Sequence, residues 1–296
     1  MTSPLFTVIV PTFNRPLALD ACVAALLRLD APEGCEILLV DDGSSPPACP
    51  PPHTLPPGFT LQVLRQANAG PGAARNHGAR FARGRCLAFT DDDCRPQPGW
   101  LQALASVLHA HTEALVGGRT FNAIGERAGS CTSQLVLELV HAHFNPGQHA
   151  FFFPSNNFAC TRESFLSLGG FDPDFRRASE DRDLCARWRT AGLPILHAAA
   201  AALDHHHDLP LPAFLRQHFN YGRGAWRYHR ARRRLREAKY LGEVGFHRHL
   251  PLLLQGRLAP YPPALRARII LCLGLWQLAN LAGFGCEAMS SVLRRP

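Results

Sequence analysis

Three consecutive carboxylates, Asp91, Asp92 and Asp93, follow directly after an apolar run at residues 86–90. Adjacent like charges repel one another, so such a cluster at the end of a buried strand indicates a site for a divalent cation. These cations take carboxylate oxygens as ligands and often bind together with substrate phosphates. The triplet therefore predicts metal-dependent chemistry on a phosphate-bearing substrate.

Two acidic pairs could also take part in chemistry. Asp41 and Asp42 follow the apolar run 36–40, where a carboxylate could accept hydrogen bonds from a base or a ribose, or could simply shape a turn. Glu180 and Asp181 begin a predicted helix, where a carboxylate could remove the proton of an attacking hydroxyl, or could simply stabilise the helix dipole. The residues alone leave these alternatives open.

A histidine run and a tryptophan are weaker signals. The histidines at 205–207 could bind a transition metal or form a polar surface segment, and adjacent side chains rarely all converge on one ion. Trp100 could stack on a sugar, but a place in the core at the start of a helix is the stronger expectation.

The elements that must position these residues alternate between strand and helix. Apolar runs predict strands at 6–10, 36–40, 60–64 and 86–90, and helical spacing predicts helices at 16–29 and 70–82. Strands alternating with helices indicate a parallel sheet covered on both faces, with ligands bound at the carboxyl ends of the strands. Both acidic groups, 41–42 and 91–93, fall at such ends.

The later pattern is less regular. It predicts helices at 100–110, 131–144 and 180–191, a strand at 114–121, and an Arg-rich helical segment up to about residue 241. Residues 269–286 carry no charge and are flanked by arginines. Such a segment could pack on the catalytic domain, lie on a membrane surface or span a bilayer.

Composition sets further bounds. The 296 residues carry a net charge of +8, almost wholly from arginine, because Lys239 is the single lysine. This balance is typical of proteins that bind nucleic acid, anionic lipid or a phosphate-rich substrate. The ten cysteines form no CxxC pair, and the first residues do not resemble a signal peptide. We therefore expect reduced thiols in a cytoplasmic protein.

Six motifs, in order and with compatible spacing, resemble the family 2 glycosyltransferases over about residues 5–225. They lie at 8–15, 40–44, 68–76, 91–93, 169–172 and 180–184. The resemblance implies an α/β fold of the GT-A class, a Rossmann-like, mainly parallel sheet flanked by helices. It also implies a catalytic domain at 1–225, followed by an Arg-rich and apolar helical extension at 226–296.

The resemblance assigns roles on the donor side. Asp93 would be the direct ligand of Mg²⁺ or Mn²⁺, Asp91 would lie near the ribose and the metal, and His205 would complete the site. The implied nucleotide-binding residues are Pro11, Phe13, Arg15, Asp41, Asp42, Asn68, Arg75, Asp91 and Asp92. A carboxylate that accepts an imide N–H would favour uracil.

On the acceptor side, the resemblance makes Asp181 the general base and Glu180 a residue that orients the acceptor. The acceptor pocket would include Ser155, Asn156 and Asn157. With base and leaving group on opposite sides, displacement would invert the anomeric carbon.

The resulting hypothesis is an inverting, metal-dependent glycosyltransferase that uses a nucleotide sugar, with UDP favoured, and a glycan or glycolipid hydroxyl. It would work in polysaccharide or glycolipid synthesis in the cytoplasm or at the inner face of the cell membrane, with peripheral membrane contact through the C-terminal segment and no nucleic-acid partner. The alternatives are a metal-dependent nucleotidyltransferase and a nucleic-acid-binding protein, the latter suggested by the arginines at 216–236. The chain lacks the Gly-rich, lysine-bearing loop expected of the former near its first strand.

Overall fold

A computed structural model describes residues 4–50, 52–145, 150–234 and 241–293, without the side chains of 233, 234 and 241–244. These residues form two compact units. The first comprises Met1–Phe121, Phe153–Arg176 and Glu180–His206, and the second comprises Asn122–Phe152, Arg177–Ser179 and His207–Pro296. The domain boundary predicted at residue 225 falls inside a helix of the second unit, α7 (Leu211–Arg234).

The first unit is built on an eight-stranded sheet with the order β3-β2-β1-β4-β7-β6-β8-β5. The strands are β1 (Phe6–Thr12), β2 (Cys35–Asp41), β3 (Phe59–Arg65), β4 (Cys86–Phe89), β5 (Cys94–Pro96), β6 (Leu115–Asn122), β7 (Phe158–Thr161) and β8 (Ile195–His205). The five predicted strands are confirmed, whereas β5, β7 and β8 were not expected from the sequence.

The sheet is mixed. Strand β1 pairs in parallel with β2 and β4, and β2 pairs in parallel with β3. Strand β7 runs antiparallel to β4 and β6, and β5 runs antiparallel to β8. The predicted α/β class with flanking helices is confirmed, and the antiparallel strands lie on the other side of β4 from the predicted parallel ones.

Helices of the first unit cover the sheet; four of the five begin within one residue of the predicted position, and α5 was not expected from the sequence. They are α1 (Pro16–Leu26), α2 (Pro71–Phe81), α3 (Trp100–Ala110), α5 (Arg162–Ser167) and α6 (Glu180–Thr190). Proline opens α1 and α2, where its missing N–H costs nothing. Trp100 is fully buried and donates from Nε1 to Asn157 Oδ1 at 2.8 Å, which agrees with a core tryptophan.

The second unit is helical. Its elements are α4 (Ala128–Phe144), α7, α8 (Leu241–Leu253) and α9 (Pro263–Leu293). Leu135, Phe214, Phe246 and Trp276 belong to its apolar core. The Arg-rich helix is confirmed up to Arg234, and the part predicted at 235–240 lies outside the described residues.

Among the described residues, α9 is the one helix whose length and composition would allow it to cross a bilayer. A core helix of a soluble protein can have the same two properties, so this is weak support for a span. In α9, however, only 28% of its 18-residue apolar stretch is buried, so most of the surface of that stretch is exposed.

A glycine in β6 permits the close approach of β8. A Cβ on Gly118 would lie 2.0 Å from the backbone oxygen of Ala201, and a backbone atom cannot move aside as a side chain can. We expect Gly118→Ala to lower the free energy of unfolding by about 1–3 kcal/mol, as overpacking does. Urea denaturation followed by circular dichroism measures this change.

The matched control is Gly125→Ala, because a Cβ there meets no atom within 4 Å. Its unfolding midpoint should stay close to that of the wild type. A Gly118→Ala variant as stable as the control would contradict the close approach of β6 and β8.

Candidate active site

The acidic triplet lies at the edge where the parallel strands β1, β2 and β4 end, and its members differ in environment. Asp92 is buried, accepts a hydrogen bond from Thr12 Oγ1 at 2.8 Å and pairs with Arg15 Nη1 at 3.1 Å. Burial raises the pKa of Asp92 to about 6, although Arg15 and Thr12 oppose the shift. Asp92 is therefore held against the end of β1 and the loop that follows it.

Asp93 approaches a histidine from a distant part of the chain. Antiparallel pairing of β5 with β8 sets His205 opposite Cys94, and His206 N donates to Asp93 O at 2.8 Å. As a result, His205 Nε2 lies 3.2 Å from Asp93 Oδ1. The same carboxylate pairs with Arg15 Nη1 at 3.0 Å through its other oxygen.

Asp93, Cys94 and His205 form a group that could hold a metal, with ligand atoms all within 4.8 Å of one another. Carboxylate oxygen suits Mg²⁺ and Mn²⁺, and imidazole nitrogen is a common metal ligand. Burial raises the pKa of the Cys94 thiol well above its ordinary value, which disfavours the thiolate form that binds metals. The residues present thus fit a divalent cation, and Asp93 and His205 offer the carboxylate and imidazole that could bind it.

A buried amide oxygen lies close to this group. Asn156 Nδ2 is 3.7 Å from Cys94 Sγ, while Asn156 Oδ1 has no hydrogen-bond partner among the described residues. A buried polar atom without a partner is costly, so its presence is typical of a site that a ligand completes. Asn156 is one of the residues predicted to bind the acceptor.

Arg75 links the acidic triplet to the acidic pair at 180–181. Its side chain is 3% exposed; Nη2 pairs with Asp91, and Nη1 pairs with Glu180 Oε1 at 3.2 Å. The guanidinium also lies over the Phe171 ring, 5.6 Å from its centroid. Burial would lower the pKa of Arg75, but Asp91 and Glu180 more than compensate and keep it charged. Arg75 was predicted to contact the nucleotide, and its described partners are these two carboxylates.

Two hydrogen bonds between Asn76 and the 169–172 motif hold Phe171 beside Arg75. Asn76 Nδ2 donates to Phe171 O at 2.7 Å, and Phe171 N donates to Asn76 Oδ1 at 2.9 Å. Gly170 has φ +66°, and a Cβ there would lie 2.5 Å from Asn76 Oδ1. The sequence pointed to this motif, but it gave no sign of the role of Phe171.

The two carboxylates at the start of α6 are both shifted towards the protonated form. Burial and the neighbouring Asp181 raise the pKa of Glu180 against the opposing charge of Arg75. Burial also raises the pKa of Asp181, although the Arg182 amide opposes it by donating to Oδ1 at 2.8 Å. A raised pKa suits a group that must accept a proton near neutral pH.

The predicted acceptor residues occupy different environments. Ser155 N lies 3.4 Å from Asp181 Oδ2, so Ser155 adjoins the predicted base. Asn157 is 1% exposed, and its Nδ2 donates to Arg119 O at 2.9 Å and to Ala201 O at 3.3 Å. The Asn157 amide therefore joins α3, β6 and β8, and its described contacts are structural.

Asp42 binds the two residues that precede α2. Its carboxylate accepts from Gln66 Nε2 at 2.7 Å and from the backbone N–H groups of Ala69 and Gly70, both at 2.9 Å. Asn68 Nδ2 donates to the backbone oxygen of Asp42 at 3.0 Å. A carboxylate offers about four acceptor positions, and the donors of Gln66, Ala69 and Gly70 occupy most of those of Asp42.

Asp41 is equally well bonded. It accepts from Ser44 N at 2.8 Å, Ala48 N at 3.1 Å and Arg65 Nη1 at 3.1 Å. Burial would raise the pKa of Asp41, but these bonds outweigh it and lower the pKa. The sequence gave no sign of the Arg65 partner.

The loop after β1 is fixed through an asparagine in the left-handed region. Asn14 has φ 55°, which asparagine tolerates; its N donates to Ser44 Oγ at 2.9 Å, and its Oδ1 accepts from Ser45 N at 2.9 Å. Phe13 is 45% exposed and the Arg15 side chain 52% exposed, so both predicted nucleotide contacts can reach a ligand. Pro11 is buried within β1.

The chain matches the model of the family described as glycosyl transferase family 2 over residues 7–169, more than half of its length. It is also 31% identical over 227 residues to the pre-mycofactocin glycosyltransferase of Mycobacterium tuberculosis. That match covers 74% of this chain and 46% of the mycobacterial protein. The chain therefore spans less than half the length of this relative.

Solved structures share the fold at low sequence identity. A mannosyltransferase from Pyrobaculum calidifontis in complex with GDP-Man and Mn²⁺ matches with a TM-score of 0.59 at 17% identity, over 99% of this chain and 81% of that one. GalNAc-T7 with UDP, GalNAc and Mn²⁺ matches with a TM-score of 0.54 at 17% identity, over 75% of this chain and 47% of that one. These likenesses confirm the predicted GT-A fold.

The bridge made by Arg75 predicts a large loss of stability when it is removed. Arg75→Ala would leave two carboxylates, Asp91 and Glu180, without their cation, and breaking such a pair typically costs about 3–5 kcal/mol. Because Asp91 is one-third exposed, we expect a decrease of about 3 kcal/mol in the free energy of unfolding. Urea denaturation measures it.

Arg80→Ala is the matched control, because Arg80 is exposed on the same helix. Surface substitutions of this kind change stability by less than about 0.5 kcal/mol. Arg75→Lys keeps the charge but loses the two-pronged geometry, so its stability should lie between those of wild type and Arg75→Ala. Equal midpoints for Arg75→Ala and Arg80→Ala would argue against the bridge.

Proposed function

Because the chain belongs to glycosyl transferase family 2, we propose that it transfers a sugar from a nucleotide sugar to a hydroxyl acceptor, with inversion of the anomeric carbon. One observation above all supports the proposal: Arg75 lies between Asp91, on the side of the predicted metal ligands, and Glu180, next to the predicted base. Family membership favours this activity over a nucleotidyltransferase or a nucleic-acid-binding protein.

On the donor side, we assign Asp93 and His205 as ligands of Mg²⁺ or Mn²⁺, with Asp91 beside them. The cation would neutralise the charge that develops on the diphosphate leaving group. Asp91 and Asp93 each have an arginine partner that restrains the carboxylate at this edge of the sheet. The donor set of carboxylate and imidazole, together with the unpartnered Asn156 oxygen nearby, supports this assignment.

For the nucleotide, we propose UDP. Asp41 and Asp42 lie at the end of β2, and the exposed Phe13 and Arg15 follow β1 at the same edge of the sheet. Phe13 offers an aromatic face to a base, and Arg15 offers a guanidinium to a phosphate. Because most acceptor positions of Asp42 are used within the protein, its contact with the base is expected to be a single hydrogen bond.

On the acceptor side, Asp181 takes the proton of the attacking hydroxyl, and Glu180, held by Arg75, orients the acceptor. Ser155 and Asn156 contribute polar groups to the acceptor pocket. Attack from the side opposite the leaving diphosphate inverts the anomeric carbon. The acceptor is a hydroxyl of a glycan or a glycolipid, which would place the enzyme in surface polysaccharide or glycolipid synthesis, in the cytoplasm at the inner face of the membrane.

A screen of nucleotide sugars tests the donor side. We expect wild type to release nucleoside diphosphate from one UDP-sugar in the presence of Mn²⁺ or Mg²⁺, and to stop when the ion is chelated. Asp93→Ala should lower this rate by about a hundredfold or more, since metal ligation contributes several kcal/mol. Turnover is measured as UDP or GDP released from UDP- and GDP-sugars.

Asp30→Ala, at an exposed carboxylate after α1, is the control and should keep the wild-type rate. A product with retained anomeric configuration, read by NMR, would refute the inverting mechanism. Failure of every donor to respond to wild type would refute the transferase assignment itself.

The proposed base predicts a particular pH profile. Burial raises the pKa of Asp181, and a base acts only when deprotonated. Activity should therefore fall as the pH is lowered, through a pKa clearly above the value of about 4 usual for aspartate. Asp181→Asn should lower kcat by about 10²- to 10⁴-fold while leaving the KM for the donor close to wild type.

The profile is measured as kcat/KM for the acceptor against pH. Asp174→Asn, an exposed aspartate outside the acidic groups, is the control. Full activity of Asp181→Asn, or an acid limb at the ordinary aspartate value, would count against Asp181 as the base.

A further inference from the structure

One side of α9 is apolar and exposed. Six of its large side chains are between 54% and 68% exposed: Ile270, Leu271, Leu278, Leu281, Met289 and Val292. They recur at intervals of one, three, seven and eight residues, which places them within an arc of about 100° along a single side of the helix. In the part of α9 that the structure describes, the one carboxylate is Glu287, and it is buried. The exposed side therefore has no acidic group.

The opposite side of α9 is fixed within the second unit. Ile269, Cys272, Leu273 and Trp276 are buried there. Glu287 binds Arg223 Nε at 2.7 Å and Arg227 Nε at 2.8 Å, both on α7.

The two helices also touch through their backbones. A Cβ on Gly222 would lie 2.0 Å from Asn280 O, and one on Gly283 would lie 1.9 Å from Phe219 O. If α9 crossed a bilayer in this arrangement, it would carry the arginines of α7 into hydrocarbon, which is costly. A helix lying in the membrane interface keeps its pairing with α7 and leaves the arginines of α7 in water.

The net positive charge of the chain is concentrated in the second unit. By sequence, this unit holds 17 Arg and Lys against six Asp and Glu, a net charge of +11, whereas the first unit holds 14 against 17, a net charge of −3. Exposed arginines of the second unit include Arg216, Arg230, Arg248, Arg257 and Arg268. A second copy of this chain would bring two strongly positive units together, whereas anionic lipid headgroups complement the charge.

We propose that the exposed side of α9 docks the protein on an anionic bilayer surface, with α9 lying in the plane of the interface. The apolar side chains enter the boundary between headgroups and acyl chains, and the arginines contact lipid phosphates. Such docking deepens the proposed function, on which it rests for the nature of the acceptor. It would keep the enzyme at the surface where lipid-linked hydroxyls are found.

Flotation of the full chain with vesicles tests the docking, without any sugar donor. Wild type should bind vesicles made of equal parts phosphatidylcholine and phosphatidylglycerol, and should bind pure phosphatidylcholine at least about tenfold less. The Leu278→Glu/Leu281→Glu double variant should lose at least about tenfold of the binding to the mixed vesicles. High salt should weaken the binding, because it screens the arginines.

Leu17→Glu is the matched control, because Leu17 is 87% exposed but lies on α1 of the first unit. It should bind vesicles as wild type does. Thermal unfolding of the double variant should match wild type, since both substituted side chains are exposed; a destabilised variant would be replaced by Leu281→Glu alone.

Four results would overturn the docking: no vesicle binding by wild type, equal binding by the double variant, a wild-type dimer that the double variant dissociates, or extraction of wild type from membranes by detergent alone and not by salt. The last of these would indicate a span. Turnover of nucleotide sugars is measured separately, without vesicles. Vesicle binding without turnover would refute the proposed function and leave the docking intact, and turnover without binding would do the reverse.

Discussion

The ion pairing of the buried Arg75 guanidinium is the interaction on which the candidate site depends. A buried cation is tolerated only when anions surround it, and here Asp91 and Glu180 supply the charge while the face of Phe171 supplies a further favourable contact. Asn76 holds the backbone of Phe171 in place through two hydrogen bonds. Arg75 thus joins the loop after β4 to the start of α6, and on the proposed function these are the leaving-group and acceptor sides, which a displacement reaction requires to be aligned.

The parallel half of the sheet brings the loops of this edge together, and short polar bonds then determine their shape. Thr12 and Arg15 hold Asp92 at the end of β1, and Asn14 ties the same loop to Ser44 after β2. These bonds join three chain segments that are far apart in sequence. The buried carboxylate of Asp92 therefore supports these loops, and the exposed side chains are those on the loop surface.

Local pattern predicted the parallel strands, most helices and the positions of the acidic groups, because apolar periodicity and turn residues act over short distances. It could not predict β8, since the five alanines at 198–202 favour a helix in isolation and adopt a strand only because β5 and β6 flank them in the sheet. Nor could it predict that Arg75 binds Glu180, 105 residues away, or that Asp92 points inward while its neighbours do not. Those outcomes depend on tertiary packing.

Asp42, which we propose as a nucleotide contact, also binds the backbone N–H groups of the two residues before α2, so on that proposal donor preference and stability would depend on one side chain. Its carboxylate lies near the positive end of α2, and that helix carries Arg75 one turn further on. A substitution at Asp42 made to change the nucleotide would also loosen the helix that aligns the two acidic groups. On the proposed function, donor choice could therefore change more easily at the exposed Phe13, whose replacement leaves these bonds intact.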